Sequence, residues 1–171
     1  MSQENSKSNT IAYKGCGCLL LLILLGIIVA IEMPSFLRQA GKAKQVEPKQ
    51  YVRSMNRAQH AHFAEKGAFA TSVNALEIGI KIETANGKYS VIATKKTAFN
   101  YGLSKKKDFK SCVGGVFVVP AKEVVPNAVK DEIITISILC QSDSPGTIKP
   151  AEPTYQNGKL ICGKGTTEVT K

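Results

Sequence analysis

The chain has 171 residues, 6% of them aromatic and none Trp, with a formal net charge of +10. That length is room for one domain plus an appendage, and the scarcity of aromatics leaves a core built mainly from Val, Ile, Leu and Ala. The two basic and two acidic residues before Ser35 cancel, so the whole positive balance belongs to residues 35–171, where it attracts anionic partners or simply confers solubility.

Residues 1–10 are polar, rich in Ser, Asn and Gln, and read as a disordered tail. Residues 16–31 carry no charge and are apolar almost throughout. As a helix this run is about 24 Å long, short of a bilayer core of about 30 Å. It spans when the helix continues through Met33, Ser35, Phe36 and Leu37. No small-residue cleavage site follows it, and a small head could hardly bury a helix that is apolar all round. The expected organisation is therefore a polar cytoplasmic tail or leader at 1–14, a transmembrane stem at 15–37 and a globular head at 38–171. Lys7 and Lys14 precede the run; Arg38, Lys42, Lys44 and Lys49 come after it. That count by itself puts the head in the cytoplasm, by a rule that weakens when a long domain follows.

Gly26 and Pro34 mark the stem, with a kink expected at Pro34 and a second interruption at Pro48. The spacing predicts a helix over about 49–66, with Tyr51, Met55, Ala58 and Phe63 facing a sheet and Gly67 as terminator. A loop with one short helical turn near 72–76 comes next. Strands are predicted at about 89–93, 98–103, 112–119 and 133–140. The last alternates Ile134, Ile136, Ile138 and Cys140 with Thr135 and Ser137, as a half-buried antiparallel strand does. Residues 141–162 read as a C-terminal loop, with a short edge strand at 160–162. A helix followed by strands means α+β, with a small antiparallel sheet of about four strands.

Of the five cysteines, Cys16 and Cys18 read as small residues at the inner membrane face. Three lie in the head. One pair there leaves one over. Cys140 with Cys162 is the expected pair, closing a loop rich in Pro, Gly and Ser, and a pairing that uses Cys112 stays open. His60 and His62 are two apart, on different faces of a helix, and so do not share a metal. Gly114-Gly115 lies inside a strand pattern, where a bulge or close packing explains it. No catalytic or cofactor motif is present, so an enzyme is not expected. Lys95, Lys96, Lys105, Lys106, Lys107 and Lys110 gather around two strands, interleaved with Phe99, Tyr101 and Phe109. Such a patch would follow a phosphate backbone and stack on bases; the other reading is a solvated hairpin with its aromatics in the core.

Residues 26–45, from Gly26 through Pro34 to Gln45, resemble the end of the apolar stem and the start of the soluble helix in type IV pilins. They are most similar to the pilin-like G and H proteins of cyanobacteria. Tyr51-Val-Arg-Ser-Met-Asn-Arg-Ala-Gln59, Gly67-Ala-Phe-Ala-Thr-Ser72, Ile138-Leu-Cys-Gln141 and the tail from Asn157 to Glu168 extend the similarity. The resemblance implies a single-pass protein of the bacterial cytoplasmic (inner) membrane with its head outside. It would serve as a minor component or accessory of a type IV pilus or a type II secretion pseudopilus. Its partners would be the membrane, other pilins or pseudopilins and their assembly machinery; the basic head adds DNA or anionic polysaccharide as the alternative. The family's cleavage motif, Gly followed by Phe-Thr-Leu-Ile-Glu, is missing. With Pro34 in register, its glycine maps to Ala12, the new N-terminal residue to Tyr13 and its glutamate to Gly17. Taking Gly15 or Gly17 as the glycine puts Leu20 or Leu22 at the glutamate position.

Overall fold

The structure is a computed structural model that describes residues 5–125, 127–128 and 132–169; within the first helix, side chains are described at 19–28 and from 46 onward. The chain divides into two units, residues 1–43 and 44–171. Its one α-helix among the described residues, α1, spans Asn5–Lys66.

In the first unit the described side chains, Leu19 to Ile28, are all exposed. Among the described residues no helix is long and apolar enough to cross a membrane. The backbone stays helical through Gly26 and Pro34.

The second unit packs the later part of α1 on a five-stranded antiparallel sheet. In chain order the strands are β1 (Gly87–Ala93), β2 (Thr97–Ser104), β3 (Cys112–Pro120), β4 (Ile133–Ser142) and, after a separate hairpin of β5 (Thr154–Gln156) and β6 (Lys159–Ile161), β7 (Thr166–Glu168). The sheet order is β1-β2-β3-β4-β7, each pair antiparallel. The expected α+β class holds, with one more strand than the four predicted. The fifth, β7, is a three-residue polar segment that pairs only with the last three residues of β4. The expected loop at 141–162 likewise contains the end of β4 and the β5–β6 hairpin, whose turn is set by Asn157 and Gly158, both at positive φ.

Gly67 ends α1 as predicted. Its φ of +66° is a left-handed conformation that glycine adopts at little cost, and its N–H bonds the Phe63 carbonyl at 2.8 Å. Pro48, by contrast, does not interrupt the helix. It removes one helical hydrogen bond but is fully buried, its Cβ and carbonyl lying where a side chain at Gly102 of β2 would stand. Packing of the ring offsets the missing bond.

The helix face on the sheet also differs from the predicted stripe. Val52, Met55, Asn56 and Gln59 are buried, whereas Tyr51, Ala58 and Phe63 are only half-buried at the flanks. On the helix side of the sheet, Val52 packs with Cys112 and Leu139, and Met55 packs with Ala70, Val73, Leu76 and Tyr89. Each such side chain contributes about 1.5–3 kcal/mol by leaving water. On the far side, Tyr101, Val113, Phe117, Val119, Ile138 and Cys140 form a second core, roofed by Tyr155, Leu160 and Cys162. The sheet is thus buried on both faces, by the helix on one and by the C-terminal hairpin on the other.

Candidate functional site

Two polar features and one covalent bond hold the head together. The first is an amide network between α1 and the sheet. Asn56 Nδ2 donates to the Ile138 carbonyl at 3.0 Å, and Asn100 Nδ2 donates to Asn56 Oδ1 at 2.8 Å. Gln59 exchanges two bonds of 2.9 Å with the backbone of Ala70, which ties the loop after α1 to the helix. Every buried side-chain polar atom among the described residues has a partner. Buried amides of this kind fix one register of helix on sheet, because any slip leaves them unpaired. The network needs room, and Gly114 supplies it beside Asn100 and Leu139 in the sheet. Gly114-Gly115 is therefore a site of close packing on both faces; a side chain at Gly115 would meet Pro153 and Phe117.

The second feature is Glu47. Its carboxylate accepts from Thr84 Oγ1 at 2.5 Å, Asn86 Nδ2 at 2.6 Å and Tyr89 Oη at 3.0 Å. Burial pushes its pKa up, but the three hydrogen bonds outweigh it and hold the carboxyl below its usual value. The start of the head helix is thereby fastened to the loop before β1.

The covalent bond is Cys140–Cys162, which closes the C-terminal hairpin over the far core. Cys112 remains a free thiol, buried on the helix side and pushed up to about 12 by burial. Around the disulfide, Tyr101 donates to Glu152, Lys149 sits 4.2 Å above the Tyr101 ring, and Tyr155 Oη donates to Glu123 at 2.6 Å.

The fold separates the lysines that sequence groups together. Lys95 and Lys96 lie in the turn between β1 and β2, whereas Lys105, Lys106, Lys107 and Lys110 lie between β2 and β3. The eight residues of β2 intervene, about 26 Å at about 3.3 Å per residue. Lys105 is paired with Glu83 at 2.6 Å. The interleaved aromatics are not a stacking platform. Phe99 packs edge-on to Phe117 at 5.9 Å, and Tyr101 is fully buried. A single continuous nucleic-acid surface of lysines and rings is not what this topology builds.

His60 and His62 also part company. His60 Nδ1 is 2.6 Å from Thr135 Oγ1 on β4, whereas His62 Nδ1 lies 2.8 Å from the Ala68 carbonyl in the loop after α1. Between α1 and β4 runs a groove of about 200 Å³ lined by Arg53, Asn56, Arg57, Ser137, Ile138 and Leu139. Sequence reasoning passed over these arginines, because two basic residues on a helix surface read as solvated. Their spacing of four, with the alternation of β4, is the signal that places them along one strand.

The family model for type IV pilin-like G and H proteins matches residues 45–163, which is the greater part of the chain and nearly all of the head. The chain belongs to this pilin-like family. Neither the curated proteins nor the solved structures include a match. Membership carries a structural role related to the type IV pilus or the pseudopilus, in a family that is structural and not enzymatic. The pilin-like head then consists of α1 from residue 45, β1 to β6 and the disulfide, with β7 beyond the matched segment.

Proposed function

We propose that this pilin-like protein is a membrane-anchored assembly component: a minor or accessory member of a type IV pilus or a type II secretion pseudopilus. The match of the head to the pilin-like family carries the reading. The domain plan of polar tail or leader at 1–14, apolar stem at 15–37 and head at 38–171 is part of the proposal. Residues 16–31 would supply the apolar surface for the anchor, and the helical backbone on either side of that run supports a continuous stem. A disulfide in the head suits an oxidising compartment, outside the cytoplasmic membrane.

An accessory role suits the missing carboxylate better than bulk subunit does. In the resemblance, the glutamate near the mature N-terminus neutralises a neighbour's free amine within an apolar core, and a buried amine left unpaired is costly. This chain offers Gly17, Leu20 or Leu22 there. Membrane fractionation and N-terminal sequencing test the reading. Carbonate-resistant membrane association is expected. An intact N-terminus identifies a permanent anchor, and a start at Tyr13, Cys16 or Cys18 identifies pilin-type processing. Recovery of the full chain in the soluble fraction contradicts the anchor.

The lysines at 105–107 and 110 would carry the alternative, capture of DNA or anionic polysaccharide, by charge alone. A mobility shift that weakens steeply with salt and on replacing Lys106 and Lys107 by Glu supports it; no shift at low salt ends it.

A further inference from the structure

The two sides of β4 are unequally used. Toward β3 it is paired over its length, from Ile133 opposite Pro120 to Gln141 opposite Cys112. Toward the other side, β7 covers only Cys140 to Ser142, and the Val169 N–H then reaches the Leu139 carbonyl at 2.8 Å. Backbone groups alternate along a strand, so those of Ile133, Thr135 and Ser137 point the same way as Leu139, away from β3. Among the described residues they have no backbone partner.

Natural sheet edges are blunted by charges, prolines, bulges or shortness. Residues 133–138 read Ile-Ile-Thr-Ile-Ser-Ile and have none of these. The edge is also flanked asymmetrically. On the helix side, Arg53 and Arg57 line the groove beside Ser137, and His60 meets Thr135. On the far side, Ile134 and Ile136 are half-buried and pack on the second core.

We propose that the outer edge of β4 at 133–137 is a docking strand for an extended acidic segment of a partner chain. The segment continues the sheet in line with β7, its backbone pairing with Ile133, Thr135 and Ser137. Its alternate side chains face opposite ways. Carboxylates on one side meet Arg57, next to Arg53, whose guanidinium already donates to the Val169 carbonyl at 3.2 Å, and apolar side chains on the other pack on Ile134 and Ile136. A second copy of this chain is the poorer occupant, since its own charge is +10. The surface is read from β4 and α1 alone, so it stands whether or not the chain enters a pilus.

The test uses the full chain in detergent micelles and a short fluorescent peptide that alternates Glu and Val, read by anisotropy. Saturable binding is expected, together with slowed hydrogen exchange at the amides of Ile133, Thr135 and Ser137. Arg57→Glu, at an exposed helix position, should weaken binding about tenfold or more. N-methylating alternate amides of the peptide keeps its charge but removes backbone donors, and should weaken binding at least as much. Equal binding of the N-methylated peptide overturns the proposal in favour of charge attraction alone. No saturable binding at low salt overturns it too, as does self-association of the chain that protects the same amides without peptide.

Discussion

The Asn56 carboxamide fills the place of a side chain at Gly114: a Cβ at that position would stand 2.1 Å from Asn56 Oδ1. The helix and the sheet approach this closely because one partner has no side chain and the other is satisfied by Ile138 and Asn100. Gly114→Ala should therefore destabilise the head by about 1–3 kcal/mol, the usual cost of overpacking. Asn56→Ala should recover part of that loss in the double variant, since it vacates the contested space. Urea unfolding of the four proteins forms a double-mutant cycle, and strict additivity would contradict the contact.

Cysteine chemistry should divide the head thiols sharply. Removing the disulfide by Cys140→Ser with Cys162→Ser should cost about 3 kcal/mol, the chain-entropy value for a loop of this size. Cys112 should resist alkylation in the native protein and react on unfolding, because it is buried and its thiolate is disfavoured. Urea unfolding of the double variant measures the first, and mass mapping of alkylated peptides checks the second. Fast native labelling of Cys112 would contradict its placement.

Glu47 makes the head acid-sensitive. Its pKa is depressed in the folded state, so its contribution is complete above its ordinary value of 4.5 and is lost as pH falls through the folded value. Glu47→Gln should lower stability near neutral pH by about 1 kcal/mol, a figure reduced for solvent screening. It should also flatten the acid side of the stability profile. Thermal unfolding across that range is the measurement, and an unchanged acid limb would remove Glu47 from the account.

Legibility in the sequence divides along physical lines. Apolar segments between turn residues located four strands of the sheet, the last by its alternation, and Gly67 marked the helix end, because burial and backbone sterics act locally. Asn56 and Gln59 were invisible as core residues, since an amide reads as exposed until the sheet supplies its partners. Pro48 read as a break because the compensating packing on Gly102 is remote in sequence. The short polar β7 has no alternation to read, and exists only because the end of β4 offers an edge. The lysines were grouped by sequence proximity, which a hairpin does not preserve: β2 carries its two ends apart.

The central claim, an assembly role in the pilus or pseudopilus, is tested most directly by crosslinking in cells. A photoreactive residue in place of Ile27, an exposed position of the stem, should give adducts with pilins, pseudopilins or their assembly proteins. Adducts with none of these, together with unchanged piliation and secretion in a deletion strain, would contradict the account.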